Sequence, residues 1–236
     1  MGSIYLIRHG QASFGADNYD VLSPIGIRQA EVLGAHLAQL GARLDRSISG
    51  DLRRQQHTAS CALEQLQAAQ LPVPTHELDS AFNEFDADAV IRALLPDMLG
   101  EEPQALEILR NAKQNRAEFQ RIFAKVMTRW LSGEHPKAGL QSWSEFVSQV
   151  QGGLGRLLEQ AHDKQHIAVF TSGGTITALL HLITGIAPAQ AFELNWQIVN
   201  TSLSCLKFRG QQVSLASFNS HTHLQLLKAP ELITYR

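Results

Sequence analysis

Only two cysteines, Cys61 and Cys205, occur in the 236 residues. They are too few for a disulfide framework, so a reducing, cytoplasmic setting is expected. Charge is scarce and balanced, with 20 Lys and Arg against 22 Asp and Glu and a net −2. A sequence-independent nucleic-acid binder needs a basic excess to displace counterions, so that class is excluded. No run of about 18 apolar residues is present, and no membrane span is expected. No secretory leader is expected either, because an apolar, strand-like run already occupies residues 4–7. No His, Cys and Asp cluster has metal-ligand spacing. With 44% hydrophobic and 18% charged residues, the chain is not a disordered tail. What remains is a soluble intracellular globular protein.

Apolar runs and helical stripes alternate along the chain. Residues 4–7 form a short β-branched run that stops at Arg8-His9-Gly10, which suggests a strand covered on both faces. Ser23 and Pro24 then make a helix start, followed by the stripe Ile27, Ala30, Leu33, Leu37 and Leu40. Further strands are expected near 47–49, 73–78 and 167–170, with helices between them. Ser142 and Glu145 read as a capping box. Residues 203–208 and 213–218 bracket a turn and predict an antiparallel hairpin. The segment of about 87–140 breaks the alternation. A long helix is expected there from about 104 to 131, carrying Arg110, Lys113, Arg116, Arg121, Lys125 and Arg129 as a solvated face. The alternative for that charge is a basic lid over an anionic substrate. The fold expected is α/β: a three-layer αβα sandwich on a mostly parallel sheet of about six strands, with a C-terminal antiparallel hairpin. A single domain over 1–236, with the helical insertion at about 87–140, is the organisation expected.

In open α/β sheets, sites form beyond the carboxyl ends of the strands. Residues expected there are Arg8, His9, Gly10 and Gln11 after the first strand, Asp51 and Arg54 after the second, and Glu84 after the third. Ser172-Gly173-Gly174 follows the fourth strand at a helix start, where free N–H groups favour an anion. Two arginines, a histidine and a carboxyl group suit a phosphoryl group. A neutral imidazole can accept it. Guanidinium forks match its oxygens, and a carboxyl group of raised pKa can protonate the departing alkoxide. Taken singly, each residue reads as ordinary surface polarity or a tight turn; their joint placement carries the argument.

The motifs resemble those of the histidine phosphatase superfamily, also called phosphoglycerate mutase-like. L-I-R-H-G-Q at 6–11 is similar to its opening motif, and L-S-P-I-G-I-R-Q-A at 22–30 to its L-T-x-x-G-x-x-Q-A. G-D-L-R-R-Q-Q-H-T-A at 50–59 resembles S-D-L-x-R-A-x-Q-T-A, which puts the second phosphate-binding arginine at Arg54. F-N-E-F-D at 82–86 resembles the stretch bearing the acid/base glutamate, here Glu84. S-G-G-T-I at 172–176 is similar to H-G-G-x-I, and N-T-S at 200–202 to a late triplet.

The departures are as informative. Ser172 stands where the family has a second histidine facing the phosphoryl group, and Gly50 replaces a serine with no expected consequence. The residues that hold phosphoglycerate in true mutases, after Gly10 and after the glutamate, are also missing. The resemblance therefore implies a metal-independent phosphomonoester hydrolase, acting through a phosphohistidine at His9 with Glu84 as acid. Arg8, Arg54, Gln11, Ser172 and Gly173 are the implied phosphate ligands. No cofactor is implied, and the partner is a small phosphorylated substrate. A homodimer stays open, as do a phosphoglycerate mutase and a low-activity member that only binds ligands or a protein. For the missing histidine three sources of compensation are open: the Gly173 and Gly174 amides, an arginine of the insertion, or His221 and His223. If none acts, Ser172→His is expected to raise kcat. Substrate specificity is expected from 87–140 and the loop at 12–20.

Overall fold

A computed structural model describes residues 1–13, 20–111 and 115–235. Residues 14–19 of the expected specificity loop, and Ala112 and Lys113 of the expected long helix, lie outside them.

Six strands form one sheet: β1 (Gly2–Arg8), β2 (Arg46–Ser49), β3 (His76–Leu78), β4 (His166–Thr171), β5 (Leu203–Arg209) and β6 (Gln212–Ser220). Their order is β3-β2-β4-β1-β5-β6. β1, β2, β3 and β4 run parallel, while β5 is antiparallel to β1 and to β6. The hairpin turns at Gly210, whose φ of 52° is the left-handed geometry such a turn needs. β1 and β4 sit mid-sheet, and their apolar residues Ile4, Leu6, Ile7 and Ile167 through Phe170 are fully buried. β3 is shorter than expected. Pro72 and Pro74 supply no N–H for a ladder, so pairing starts only at His76.

Helices α1 (Pro24–Gln39) and α2 (Arg53–Ala68) cover one face, packing Leu33, Leu37, Ala62 and Leu66 on Ile7 and Phe170. Ser23 caps α1 by accepting from the Gly26 N–H. The insertion contributes α3 (Ala87–Leu94), α4 (Ala105–Arg110) and α5 (Arg116–Ser132). The one long helix expected is thus two. Asn111 and Asn115 flank the interruption, and asparagine competes with helical backbone for hydrogen bonds. α6 (Trp143–Gln160) opens on the Ser142–Glu145 capping box. It joins α7 (Gly173–Thr184) and the insertion on the second face, where Met98, Ile122, Val126 and Trp130 share a core with Phe146, Val169 and Ile176. Two short helices follow, α8 (Pro188–Asn195) and α9 (Thr222–Gln225). α8 escaped the sequence reading, although Pro188 at its first position marks it. Three α5 cations lie in surface ion pairs. Arg121 and Lys125 both meet Glu102, and Arg129 meets Glu101 at 3.2 Å. For these three the arrangement is the solvated one rather than a lid.

Helices leave β1 and β4 toward opposite faces, so a crevice opens beyond the ends of these two neighbours.

Candidate active site

Strand register sets the site. Arg8 pairs with Thr171, and the His9 N–H donates to the Thr171 carbonyl at 2.8 Å. His9 and Ser172 therefore leave the sheet side by side. The His9 carbonyl is held by Asn200 Nδ2 at 2.9 Å, and the Arg8 N–H and carbonyl bond Ser202 and Thr201. Thr201 takes a φ of 61° to make this clamp. Asn200 is itself oriented: Thr234 Oγ1 donates to its Oδ1 at 2.9 Å, and Gln29 Nε2 donates to Thr234 Oγ1 at 2.8 Å. On the other side Gly10 lies on the Gly26 backbone so closely that a Cβ there would strike the Gly26 carbonyl. The Gly10 N–H donates to Thr58 Oγ1 at 2.9 Å. Gln11 belongs to the same packing. Its N–H bonds Gln29 Oε1 and its Oε1 accepts from Ser23, each at 2.8 Å.

The His9 ring is fixed at both nitrogens. Nδ1 donates to the Gly10 carbonyl at 2.7 Å, and Nε2 accepts from Arg54 Nε at 3.2 Å. In that tautomer Nε2 carries the lone pair, which faces Arg54. Burial first, then the positive charges of Arg54 and Arg8, hold its pKa well below the ordinary value, against the Gly10 bond. The ring is neutral at pH 7.

Arg54, buried at the start of α2, also pairs through Nη1 with Asp20 Oδ1 at 2.8 Å. The same carboxylate accepts from the Arg53 N–H at 2.9 Å. Arg8 donates to the Ile198 carbonyl, and its Nε lies beside Gly173. A Cβ at Gly173 would strike Asn195 Oδ1, so the α7 start, Arg8 and the end of α8 converge.

Glu84 enters from the turn after β3. Its Oε2 accepts from the Gly174 N–H at 3.1 Å, while its Oε1 is buried with no partner among the described residues. Burial raises its pKa, opposed by the Gly174 bond and by Arg54 and Arg8. The pocket thus holds a neutral base and a carboxyl group biased toward protonation, an acid/base pairing pushed apart by environment.

Ser172 is fully buried, and its Oγ accepts from Gln55 Nε2 at 2.8 Å. Gln55, Asp20, Asn200 and Asn195 received no role in the sequence reading. Only Asn200, in the N-T-S triplet, and Gln55, where the quoted pattern has alanine, left a trace there. His223 and His221 are engaged elsewhere. His223 Nε2 bonds Thr201 Oγ1 at 3.1 Å, and its ring packs on His36 of α1. His221 Nδ1 bonds the Asn219 carbonyl at 2.8 Å. The basic residues Arg121, Lys125 and Arg129 are taken by carboxylates, as described above. Among the described residues no group of three or more His, Cys, Asp or Glu is gathered as a metal site.

The family model described as "Histidine phosphatase superfamily (branch 1)" matches residues 4–221. A protein of Hydrogenobacter thermophilus, named "Putative phosphoserine phosphatase 2", is 23% identical over 96% of this chain and 100% of its own length. Among solved structures, a phosphoserine phosphatase of Entamoeba histolytica in complex with 3-phosphoglyceric acid superposes with a TM-score of 0.63. It has 20% identity, covering 95% of this chain and 100% of that one. A phosphoglycerate mutase of Bacillus anthracis also gives 0.63, with 17% identity and 96% of each chain covered. These two structures establish the likeness of fold.

Proposed function

This chain belongs to the histidine phosphatase superfamily, branch 1, and from that premise we propose that it hydrolyses small phosphomonoesters through a phosphohistidine at His9, without a metal ion. The observation that carries the reading is the two-sided fixing of the His9 ring, with Nδ1–H on the Gly10 carbonyl and Nε2 against Arg54.

In the first step His9 Nε2 attacks phosphorus, forming an N–P bond as the P–O ester bond breaks. Arg54 turns its guanidinium from the ring nitrogen to the transferring oxygens, and Arg8 and the α7 amides neutralise the same charge. Glu84, protonated at the start, gives its proton to the departing alkoxide. In the second step a water loses its proton to the Glu84 carboxylate and attacks phosphorus. The N–P bond breaks, inorganic phosphate leaves, and His9 is neutral again. The charge stabilisation asked of a metal is supplied by two guanidinium groups and backbone N–H groups.

Phosphoserine and 3-phosphoglycerate, named with the relatives, are the first substrates to assay. The mechanism is tested by incubating the protein with a 32P-labelled phosphomonoester in EDTA and quenching. Acid-labile label on His9, lost in His9→Ala, supports it. Label that persists in His9→Ala, or turnover that EDTA abolishes, refutes it. Conversion of 3- to 2-phosphoglycerate with a bisphosphoglycerate primer would mark a mutase instead.

A further inference from the structure

We infer that Gln55 is a positioning residue that, with Gly50 and Ser172, forms a coupled replacement for the missing second histidine, presenting the Ser172 hydroxyl as an uncharged donor to the phosphoryl group. The inference rests on the phosphatase reading above.

Three departures from the quoted motifs come together here. Gly50 stands for serine, Gln55 for alanine and Ser172 for histidine, the first two in one segment and the third far along the chain. In the structure they touch in series. Gln55 Nε2 donates to Ser172 Oγ at 2.8 Å, and Gln55 Oε1 lies where a Cβ on Gly50 would have to be. A Cβ on Gly50 would strike Asn83 Oδ1 as well, so the serine-to-glycine change, read from sequence as inconsequential, leaves room for Gln55 and Asn83 together. The heavy atoms lost from histidine to serine, about four, match those gained from alanine to glutamine.

The amide orientation is decided by a second acceptor. Gln55 Nε2 also donates to the Phe82 carbonyl at 3.1 Å, which puts the NH2 group, and not Oε1, toward Ser172. Ser172 Oγ then accepts, and its own proton remains for another acceptor. By strand register the residue leaves the sheet beside His9, the side on which the proposed phosphoryl group would sit. Gln55 and Ser172 are both fully buried, so the arrangement is rigid and pre-set. None of the three compensations considered from sequence is this one: it comes from α2.

It follows that a histidine at 172 finds its space filled. Ser172→His alone is expected to lower kcat on p-nitrophenyl phosphate at least tenfold, the reverse of the sequence expectation. Clearing the space in Gln55→Ala/Ser172→His should recover activity to within about threefold of the wild type; Gly50 is kept, because a Cβ there would still strike Asn83 Oδ1. Ser172→Ala and Gln55→Ala should each lose about tenfold in kcat with little change in KM, and together lose no more than either alone. Vanadate inhibition, read alongside, should weaken in parallel with kcat, whereas a merely structural Gln55 would leave it unmoved. Losses that multiply in the double variant, or a Ser172→His variant at least as active as the wild type, overturn the coupling. If Gln55→Ala/Ser172→His fails to fold by circular dichroism, the alanine pair decides alone. A wild type without turnover overturns the phosphatase reading and this inference with it, whereas labelled His9 with uncoupled variants overturns only this inference.

Discussion

Glu84→Gln separates the acid from every other part of the site. Glutamine can still accept from the Gly174 N–H through its oxygen, so the turn after β3 and the start of α7 stay joined. What is lost is the transferable proton, worth about 10²- to 10⁴-fold where the leaving group needs it. An alkyl phosphate such as phosphoserine should show that loss, while p-nitrophenyl phosphate, whose leaving group departs unprotonated, should change less than about fivefold. The pH profile carries a second sign. Burial raises the Glu84 pKa and lowers that of His9, so acid and base are both competent between the two. With an alkyl ester, kcat should fall as pH rises through the elevated Glu84 value, and this limb should vanish in Glu84→Gln. Stability follows the same linkage. A carboxyl group whose folded pKa is raised costs stability once pH exceeds its unfolded value, so Glu84→Gln should melt higher than wild type at pH 7. The gap should close below about pH 4, where the unfolded carboxyl group is protonated as well. Stopped-rate assays on the two substrates, with scanning calorimetry, measure all three. Equal losses on both esters would refute the acid role, and an unchanged melting temperature would refute the burial cost.

Arg54→Ala should lower kcat/KM about 10²- to 10³-fold, or about 2.7–4 kcal/mol, because it removes a preorganised donor; steady-state kinetics check it. Gly10→Ala forces a methyl group into the Gly26 carbonyl and should cost about 1–3 kcal/mol by urea denaturation, with a loss of activity as His9 moves. His223→Phe should leave kcat within a few-fold and the pH profile intact, because burial holds this imidazole down to about 3 and its partner is Thr201. A shifted acid limb in that variant would return His223 to the site.

The alternation of apolar strands and striped helices, the Ser23 and Ser142 caps and the hairpin at Gly210 were all legible, because each is specified by neighbours in sequence. The boundaries at Pro72 and Asn111 were missed since they depend on which local signal wins. That Arg8, His9, Arg54 and Glu84 gather at one rim could be read, because strand exits bring such residues together; their roles are those of the proposed mechanism. Gln55 could not be read, because its meaning depends on Ser172, which only the folded chain brings near. His221 and His223 misled for the complementary reason: histidine attracts a catalytic reading, yet these two answer to Asn219, Thr201 and His36.

Phe85 follows the acid directly, and its ring lies 4.5 Å from Trp130, 5.6 Å from Phe146 and 6.3 Å from Phe192 by centroid. His9, by contrast, hangs from the middle of the sheet. In the proposed chemistry the phosphoryl side thus rests on a strand ladder, while the acid is backed by an aromatic stack as well as by its bond to the Gly174 N–H. Trp130 belongs to the helical segment of 87–140, so substitutions there reach the proposed acid through Phe85. A lineage changing its alcohol leaving group has in that stack a tuning screw, turned from well behind the reacting atoms.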